Sequence, residues 1–550
     1  MPFYWEVNEM VNMLVFLVGV IVILKRGKFF LHMLQIEGYK NKQFIKWMNS
    51  SSRVYPRKVR VSVSVLTFFT AVYIFLSIFL KNNYLLYGYL VIWIIFMDYS
   101  VQWKEEEVKK ELVFTKRAMR LYVSLIFVDL IEIGIILAVF FMTVNNRQYY
   151  FPIILFAETL IYYFQPLNII LGNMIVEPIE IKINRHFYLK AQAKIKSLKN
   201  LTSIGITGSF GKTSTKFIVA TILEKKFKTL NTPESYNTAM GISKVINNDL
   251  NEDYEIFVAE MGARNIGDIK ELTELVHPKI GIITSIGETH LETFLNLENI
   301  MKTKYELIEG LPADGVAIFN YDNEYVRKLA DKTFKEKLLY GLGDSEKLDL
   351  YATDIEISEL GSSFNINDKD GNKIRCTTKL LGKHNIYNIL AGVAVGRVLG
   401  LSFEEIRDRI EEIQPVPHRL NIITPSTGII IIDDAFNSNP IGAKAALDVI
   451  SQFKEGKKII VTPGMVELGE REEAANKEFG TQIGKVCDYV ILVGEKRTEP
   501  IYRGLMEFGY TKENIFVVND LNEATDQIQK IVKPKDIVLF ENDLPDNYNE

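Results

Sequence analysis

Cysteine, tryptophan and histidine are scarce in this chain of 550 residues, which holds two, four and six of them. Two cysteines, Cys376 and Cys487, exclude a disulfide-stapled scaffold and fit a reducing compartment. An excess of one charge sign is also missing, since 64 Lys and Arg face 68 Asp and Glu. No domain-wide positive field exists to meet phosphate backbones, so no nucleic-acid partner is expected. Long polar or repetitive tracts are absent too. Aromatic and aliphatic residues run throughout, which excludes a disordered chain.

What the chain does have is asymmetry. Residues 1–176 carry a net charge of +7 and the remaining 374 carry −11. The basic part holds five apolar windows, at 10–24, 61–80, 84–97, 121–142 and 150–176. A membrane-spanning helix needs about 20 residues, so these windows with their flanks predict about five spans in a transmembrane domain over 1–176. No small-residue cleavage site follows the first window, which separates it from a signal peptide. The connections at 25–60 and 103–120 hold ten and six Lys and Arg. Basic connections face the cytoplasm. Five spans then leave everything after residue 176 on the cytoplasmic side of the cell membrane.

Asp129, Glu132 and Glu158 fall inside these windows. Acids in a membrane interior are costly, so they read either as functional, or as paired with one another or snorkelling near a membrane face. Residues 177–200 form a basic linker with Ile179, Ile183, Phe187, Ala191, Ile195 and Leu198 at helical spacing. Such a helix lies on an anionic membrane surface or packs on the next domain.

The acidic part reads as two α/β domains, at 201–412 and 413–550. A short apolar strand at 203–207 runs into Gly208-Ser209-Phe210-Gly211-Lys212-Thr213-Ser214-Thr215, and a helical pattern follows. Strand, glycine-rich turn and helix wrap backbone N–H groups round a phosphate. Lys212 would reach the β/γ-phosphates and the Thr213 hydroxyl would face Mg²⁺. Ile206 stands where the longer form of the motif has glycine, so this is the shorter GxxGKT pattern. Glu260 ends a buried strand at 256–260, where a carboxylate would sit beside the phosphate loop. His290 follows another buried strand at 280–285, in reach of a metal or phosphate role. In the last domain, apolar runs at 429–432, 458–461, 489–493, 514–518 and 536–540 alternate with helical stretches. That alternation predicts a Rossmann-like parallel sheet.

These residues resemble a family. GITGSFGKTSTK, NTPESYNTAMGI, VAEMGARNIGDI, SIGETHLETF, TKYELIEGL, LLGKHNIYNILAG and IDDAFNSNP are similar to segments of the Mur ligases, in order, over about residues 201–540. The resemblance implies a P-loop central domain, a Rossmann-like C-terminal domain and an ATP-dependent carboxylate–amine ligase working through an acyl phosphate. In the branch it resembles most, the reaction adds D-alanyl-D-alanine to a UDP-muramoyl-tripeptide in cell-wall peptidoglycan synthesis. It assigns Gly208, Ser209, Phe210, Gly211, Lys212, Thr213 and Ser214 to phosphate. Thr213, Glu260 and His290 fall to Mg²⁺, with two ions expected. Lys304 falls where these ligases carry a carbamylated lysine, and Lys302 is the competing position. Asn385 and Asn388 match adenine-side asparagines, and Asp434 a nucleotide-side aspartate. Arg419 matches a phosphate-contacting arginine, although His418 stands where the family has glycine. Lys212, His290, Lys304 and Arg419 are thus the implied catalytic set.

Two departures bear on substrate. Family members begin with a soluble UDP-sugar-binding domain, where this chain has apolar windows and a basic linker. A Lys-Gly-Ser stretch usual after the last strand is replaced by Glu541-Asn542-Asp543. The carboxylate and amine substrates are therefore small molecules or lipid-linked precursors, with membrane lipid and other envelope-building proteins as partners. A polymer-forming ligase of the poly-γ-glutamate type, and an ATPase that energises its own membrane helices, are the alternatives. The topology is directly testable. A reporter fused after Glu177 is expected to read cytoplasmic and one inserted at Asn145 external, by protease protection in intact cells; an external reading at Glu177 overturns the five-span model.

Overall fold

The computed structural model describes residues 2–51, 53–80, 84–101, 111–143, 149–289, 291–358, 361–423, 428–435, 439–466 and 468–543. The chain divides into two compact units, residues 1–184 and 185–545.

The first unit is helical: Pro2–Ile36, Asn41–Ser50, Arg57–Phe79, Tyr84–Val101, Lys116–Thr143 and Tyr150–Ser197. Among the described residues, four helices are long and apolar enough to cross a membrane: Arg57–Phe79, Tyr84–Val101, Lys116–Phe140 and Tyr150–Ser197. The first expected window, 10–24, lies within Pro2–Ile36, outside that set of four. The expected connections at 81–83, 102–110 and 144–148 lie outside the described residues.

Contacts fix the helix directions. Gly19 abuts the Glu158 carboxylate and the Trp93 ring, and Gly27 abuts Gln165, so Pro2–Ile36 and Tyr150–Ser197 run the same way. The Trp93 indole N–H donates to the Leu155 carbonyl at 3.1 Å, and the Tyr162 hydroxyl donates to the Ser100 carbonyl at 3.3 Å. Tyr84–Val101 therefore also runs that way. Lys116–Thr143 runs opposite, because Asp129 meets Gln165, Ser124 meets Gly172 and Arg120 meets Glu180. Arg57–Phe79 joins Tyr84–Val101 through a short connection and packs against it, which reverses its direction. The five long helices thus alternate in sense.

Asp129 and Glu132 have amide partners rather than each other. Asp129 accepts from Gln165 and Asn168 at 2.9 Å, and Asn168 donates to Glu132 at 2.8 Å. Glu158 is fully buried, and neither of its oxygens has a hydrogen-bond partner among the described residues.

Tyr150–Ser197 is one helix of 48 residues, so the last expected span and the expected linker helix are continuous. Its final turns belong to the second unit. There Ala191 and Ile195 are buried, and Tyr188 and Gln192 donate to the carbonyls of Glu271 and Glu274. The apolar face around Ala191 and Ile195 is spent on protein.

The second unit holds two sheets. The larger contains β1 (Thr202–Thr207), β2 (Thr229–Asn231), β3 (Ile256–Glu260), β4 (Ile280–Ile283), β5 (Val316–Asn320), β6 (Lys337–Gly341), β7 (Leu350–Ser358), β8 (Gly361–Asp368) and β9 (Lys373–Thr378), in the order β2-β3-β1-β4-β5-β6-β7-β8-β9. It is parallel through β7 and then antiparallel. β1, β3, β4 and β5 are nearly continuous apolar runs because helices cover both faces. The smaller sheet contains β10 (Asn421–Ile423), β11 (Ile430–Asp434), β12 (Lys458–Thr462), β13 (Tyr489–Val493), β14 (Ile515–Val518) and β15 (Ile537–Glu541), ordered β10-β11-β15-β12-β13-β14. Each of the five apolar runs expected there is a strand of it. β10 adds one antiparallel edge that the apolar pattern did not reveal.

Helices Glu472–Gly484 and Glu495–Phe508 cover this second sheet and touch closely at glycine. A Cβ on Gly504 would lie 2.0 Å from the Lys477 carbonyl oxygen. Backbone there cannot yield without moving the helix. Gly504→Ala is expected to destabilise the C-terminal domain by roughly 1–3 kcal/mol, read as a lowered thermal midpoint; an unchanged midpoint would show that the helices do not approach this closely.

Candidate active site

The site begins at the turn after β1. Gly211 caps the helix Lys212–Leu223 with φ +79°, a left-handed conformation that glycine adopts without strain. A Cβ there would lie 2.6 Å from the Asn388 amide oxygen, and one on Gly208 would lie 2.0 Å from the Thr284 hydroxyl. The turn is stitched to the segment after β4. Ser209 N–H donates to the Ser285 carbonyl at 2.7 Å, and its hydroxyl donates to the Gly287 carbonyl at 2.9 Å. Phe210 N–H donates to the Ser285 hydroxyl at 3.1 Å. A rigid glycine turn opening a helix leaves unpaired backbone N–H groups and the positive end of the helix dipole facing outward, which suits a phosphate.

Charged side chains converge beside this turn. Lys212 is folded onto the loop, its ammonium donating to the Gly208 and Ser209 carbonyls at 2.8 and 3.2 Å. Burial holds the Lys212 amine below the ordinary lysine range, opposed by the Glu260 charge. Glu260 ends β3 in register with Ile206 of β1, which is what brings it to the loop. It is buried and meets the Lys216 ammonium at 3.3 Å and the Asn237 amide at 3.0 Å. Arg419 feels the charges of both Asp434 and Glu260. Burial raises the Asp434 carboxyl to about 6, against the pull of the Leu420 N–H and Arg419.

Lys304 and Lys302 part on their helix. Both lie on Leu297–Glu309, but Lys304 is buried and Lys302 exposed. Among the described residues Lys304 has no hydrogen-bond partner. Burial, and then the charge of Lys212, hold its amine well below the ordinary lysine range. His290 lies outside the described residues. Among the described residues no three His, Cys, Asp or Glu side chains gather as a metal cluster.

Asn385 and Asn388 sit on the buried helix Lys383–Val398. Asn388 accepts from the Thr215 hydroxyl at 3.1 Å and donates to Asn385 at 3.2 Å. Asn388 is thus tied to the phosphate-loop helix. Asn385 and Arg419 line one cleft with Ser214 and Phe217. His418 adopts φ +59°, a conformation that favours glycine, and its imidazole pairs with Asp433 at 2.8 Å. Glu541 ends β15 in register with Asp434 and accepts from the Thr462 hydroxyl at 3.1 Å.

Lys216, Asn237 and Ser285 hold this site together and were not singled out by the motifs. Lys216 had a signal: it lies one helical turn after Lys212, on the same face.

Comparison with known proteins follows this geometry. Residues 206–396 match the Mur ligase middle domain, and 418–541 match the Mur ligase, glutamate ligase domain. The UDP-N-acetylmuramoyl-tripeptide–D-alanyl-D-alanine ligase of Bacillus subtilis is 31% identical over 339 residues, covering 61% of this chain and 72% of that one. Its Escherichia coli counterpart is 29% identical over 334 residues, covering 60% and 72%. The crystal structure of Thermotoga maritima MurF ligase in complex with ADP superposes with a TM-score of 0.60 at 28% identity, covering 66% of this chain and 81% of that one. A MurF structure from Acinetobacter baumannii gives 0.59 at 26% identity, covering 65% and 77%.

The tight seat of Gly211 yields a test. Gly211→Ala is expected to weaken ADP binding in calorimetry, because it adds left-handed strain of about 1–2 kcal/mol and a collision with Asn388. Normal ADP binding by Gly211→Ala would take this turn out of the nucleotide site.

Proposed function

Because this chain belongs to the Mur ligase family of ATP-dependent ligases, which form an amide bond with release of ADP and phosphate, we propose that it adds D-alanyl-D-alanine to a muramoyl-tripeptide precursor at the cytoplasmic face of the cell membrane. One observation carries the reading: a glycine turn with Lys212, Glu260, Lys304 and Arg419 around it, in a chain whose ligase part aligns with 72% of a ligase of that name. Helices long and apolar enough to cross a membrane support the location. The tripeptide carrier is either UDP or a membrane lipid, since neither family match extends before residue 206.

The residues fit the nucleotide and its metal. Glycines without Cβ at 208 and 211 let backbone N–H groups approach phosphate, with Ser209, Phe210 and Ser214 completing the turn. Lys212 swings from its loop carbonyls to the β/γ-phosphates. The Thr213 hydroxyl, the Glu260 carboxylate and His290 would hold Mg²⁺, which when bound neutralises charge on the transferring phosphoryl group. Asn385 and Asn388 take the adenine side, and Asp434 holds Arg419 in place. Arg419 then faces the acyl phosphate formed on the substrate carboxylate. An amine attacks that acyl carbon, phosphate leaves, and the attacking nitrogen gives up its proton.

Lys304 serves through its neutral amine. In a site that suppresses the ammonium, the amine nitrogen bonds the carbon of CO₂ and releases a proton, so a cation becomes a carbamate anion able to hold a second Mg²⁺. A free ammonium would repel that ion.

Two measurements test this. Purified protein with ATP and Mg²⁺ is expected to release ADP only when muramoyl-tripeptide and D-alanyl-D-alanine are both present. ADP release regardless of acceptor would favour an ATPase, and a ladder of products a polymer ligase. Lys212→Ala is expected to abolish ligation with the fold intact. Lys304→Ala is expected to lose most ligation, with partial recovery in acetate or formate, whereas Lys302→Ala stays close to wild type. Normal ligation by Lys304→Ala removes the carbamate from the mechanism.

A further inference from the structure

The Lys216–Glu260 pair is buried on both sides, with side-chain exposures of 0% and 2%. Such a pair is expensive. Removing two charges from water costs several kcal/mol each, and their attraction repays this only with good geometry and further hydrogen bonds. An apolar pair of similar volume would hold the fold as well, so the charges point to a task at the site.

The surroundings show the task. Lys216 reaches three structures at once: its own helix Lys212–Leu223, Glu260 at the end of β3, and the Glu234 carbonyl of the segment between β2 and the helix Ala239–Asn248. Its ammonium also lies 4.4 Å from the Phe217 ring centre. Glu260 is gripped from the other side by Asn237, and its backbone N–H donates to the Thr232 hydroxyl at 3.2 Å. Each carboxylate oxygen thus spends one lone pair on protein and keeps another. Lys212 feels the same carboxylate. Without Lys216, the one ammonium left beside Glu260 among the described residues would be that of Lys212, the lysine assigned to phosphate.

Resting on the reading above that this is an ATP and Mg²⁺ site, we propose that Lys216 is a positioning residue. It is the resident counter-ion of Glu260, which orients that carboxylate for Mg²⁺ and keeps it from capturing Lys212. Lys212 stays available to phosphate, and Glu260 stays available to metal. A partner that orients a metal ligand without touching the metal typically changes metal affinity ten- to a hundred-fold when removed.

The test is the Mg²⁺ dependence of ADP binding by the full-length protein, read by calorimetry across a Mg²⁺ titration, with thermal midpoints measured alongside. Lys216→Met is expected to raise the Mg²⁺ concentration for half-maximal ADP binding roughly ten- to a hundred-fold. Lys216→Arg, which keeps the charge, is expected to recover most of that. A purely structural role would lower the thermal midpoint and leave the Mg²⁺ dependence of the folded protein unchanged, and that result overturns the proposal. If Lys216→Met does not fold, Lys216→Gln carries the same measurement, because it keeps hydrogen bonding and removes only the charge; an unchanged Mg²⁺ midpoint again overturns the role. If the unmodified protein binds no ADP at any Mg²⁺ concentration, the nucleotide reading itself fails, which is a distinct outcome.

Discussion

Three cations share one buried carboxylate. Lys212, Lys216 and Arg419 all interact with Glu260, while Lys304 sits close enough to Lys212 to feel its charge. A cluster with so many cations and so few anions is unstable by itself in a low-dielectric interior. On the reading proposed above, a polyphosphate with Mg²⁺ would complete that balance.

The parallel sheet does the placing. β1 delivers the glycine turn, and β3 beside it delivers Glu260, in register with Ile206. β4 on the other side delivers Thr284 and Ser285, which tie the turn down. The helix Lys383–Val398 brings Asn388 against Gly211. The C-terminal domain reaches the same place by two routes. Ile441 lies beside Gly287, and Arg471 pairs with Glu288. Both contacts fall on the very segment that fastens the glycine turn.

The membrane-type unit follows a different logic. Its helices alternate in sense, and its acids are not all treated alike. Asp129 and Glu132 are hydrogen-bonded by neutral amides, whereas Glu158 is sealed between Gly19 and Trp93. Gln165 and Asn168 face Asp129 and supply the hydrogen bonds that its buried carboxylate needs.

Local chemistry was legible in the sequence because it depends on neighbours in the chain. The glycine turn at 208–211, the apolar strands, the apolar helices and the motif order all follow from residue type and spacing over a few positions. What depends on residues far apart was decided only by folding. The motif spacing left Lys302 and Lys304 open, and the helix face separates them, since two residues on a helix are 200° apart and one side of Leu297–Glu309 is buried. The glycine-like backbone at His418 became visible only with its φ of +59° and its Asp433 partner. Spacing along the chain put Lys216 on the face of Lys212, but its partners, Glu260 and the Glu234 carbonyl, come from segments brought together only by folding. The ligase motifs were readable by their resemblance to a family, and the two kinds of domain by short-range periodicity and turn geometry, all of which lie along the chain. Only the tertiary structure decided which cation faces which carboxylate, because burial and Coulomb interaction depend on distances that no spacing along the chain encodes.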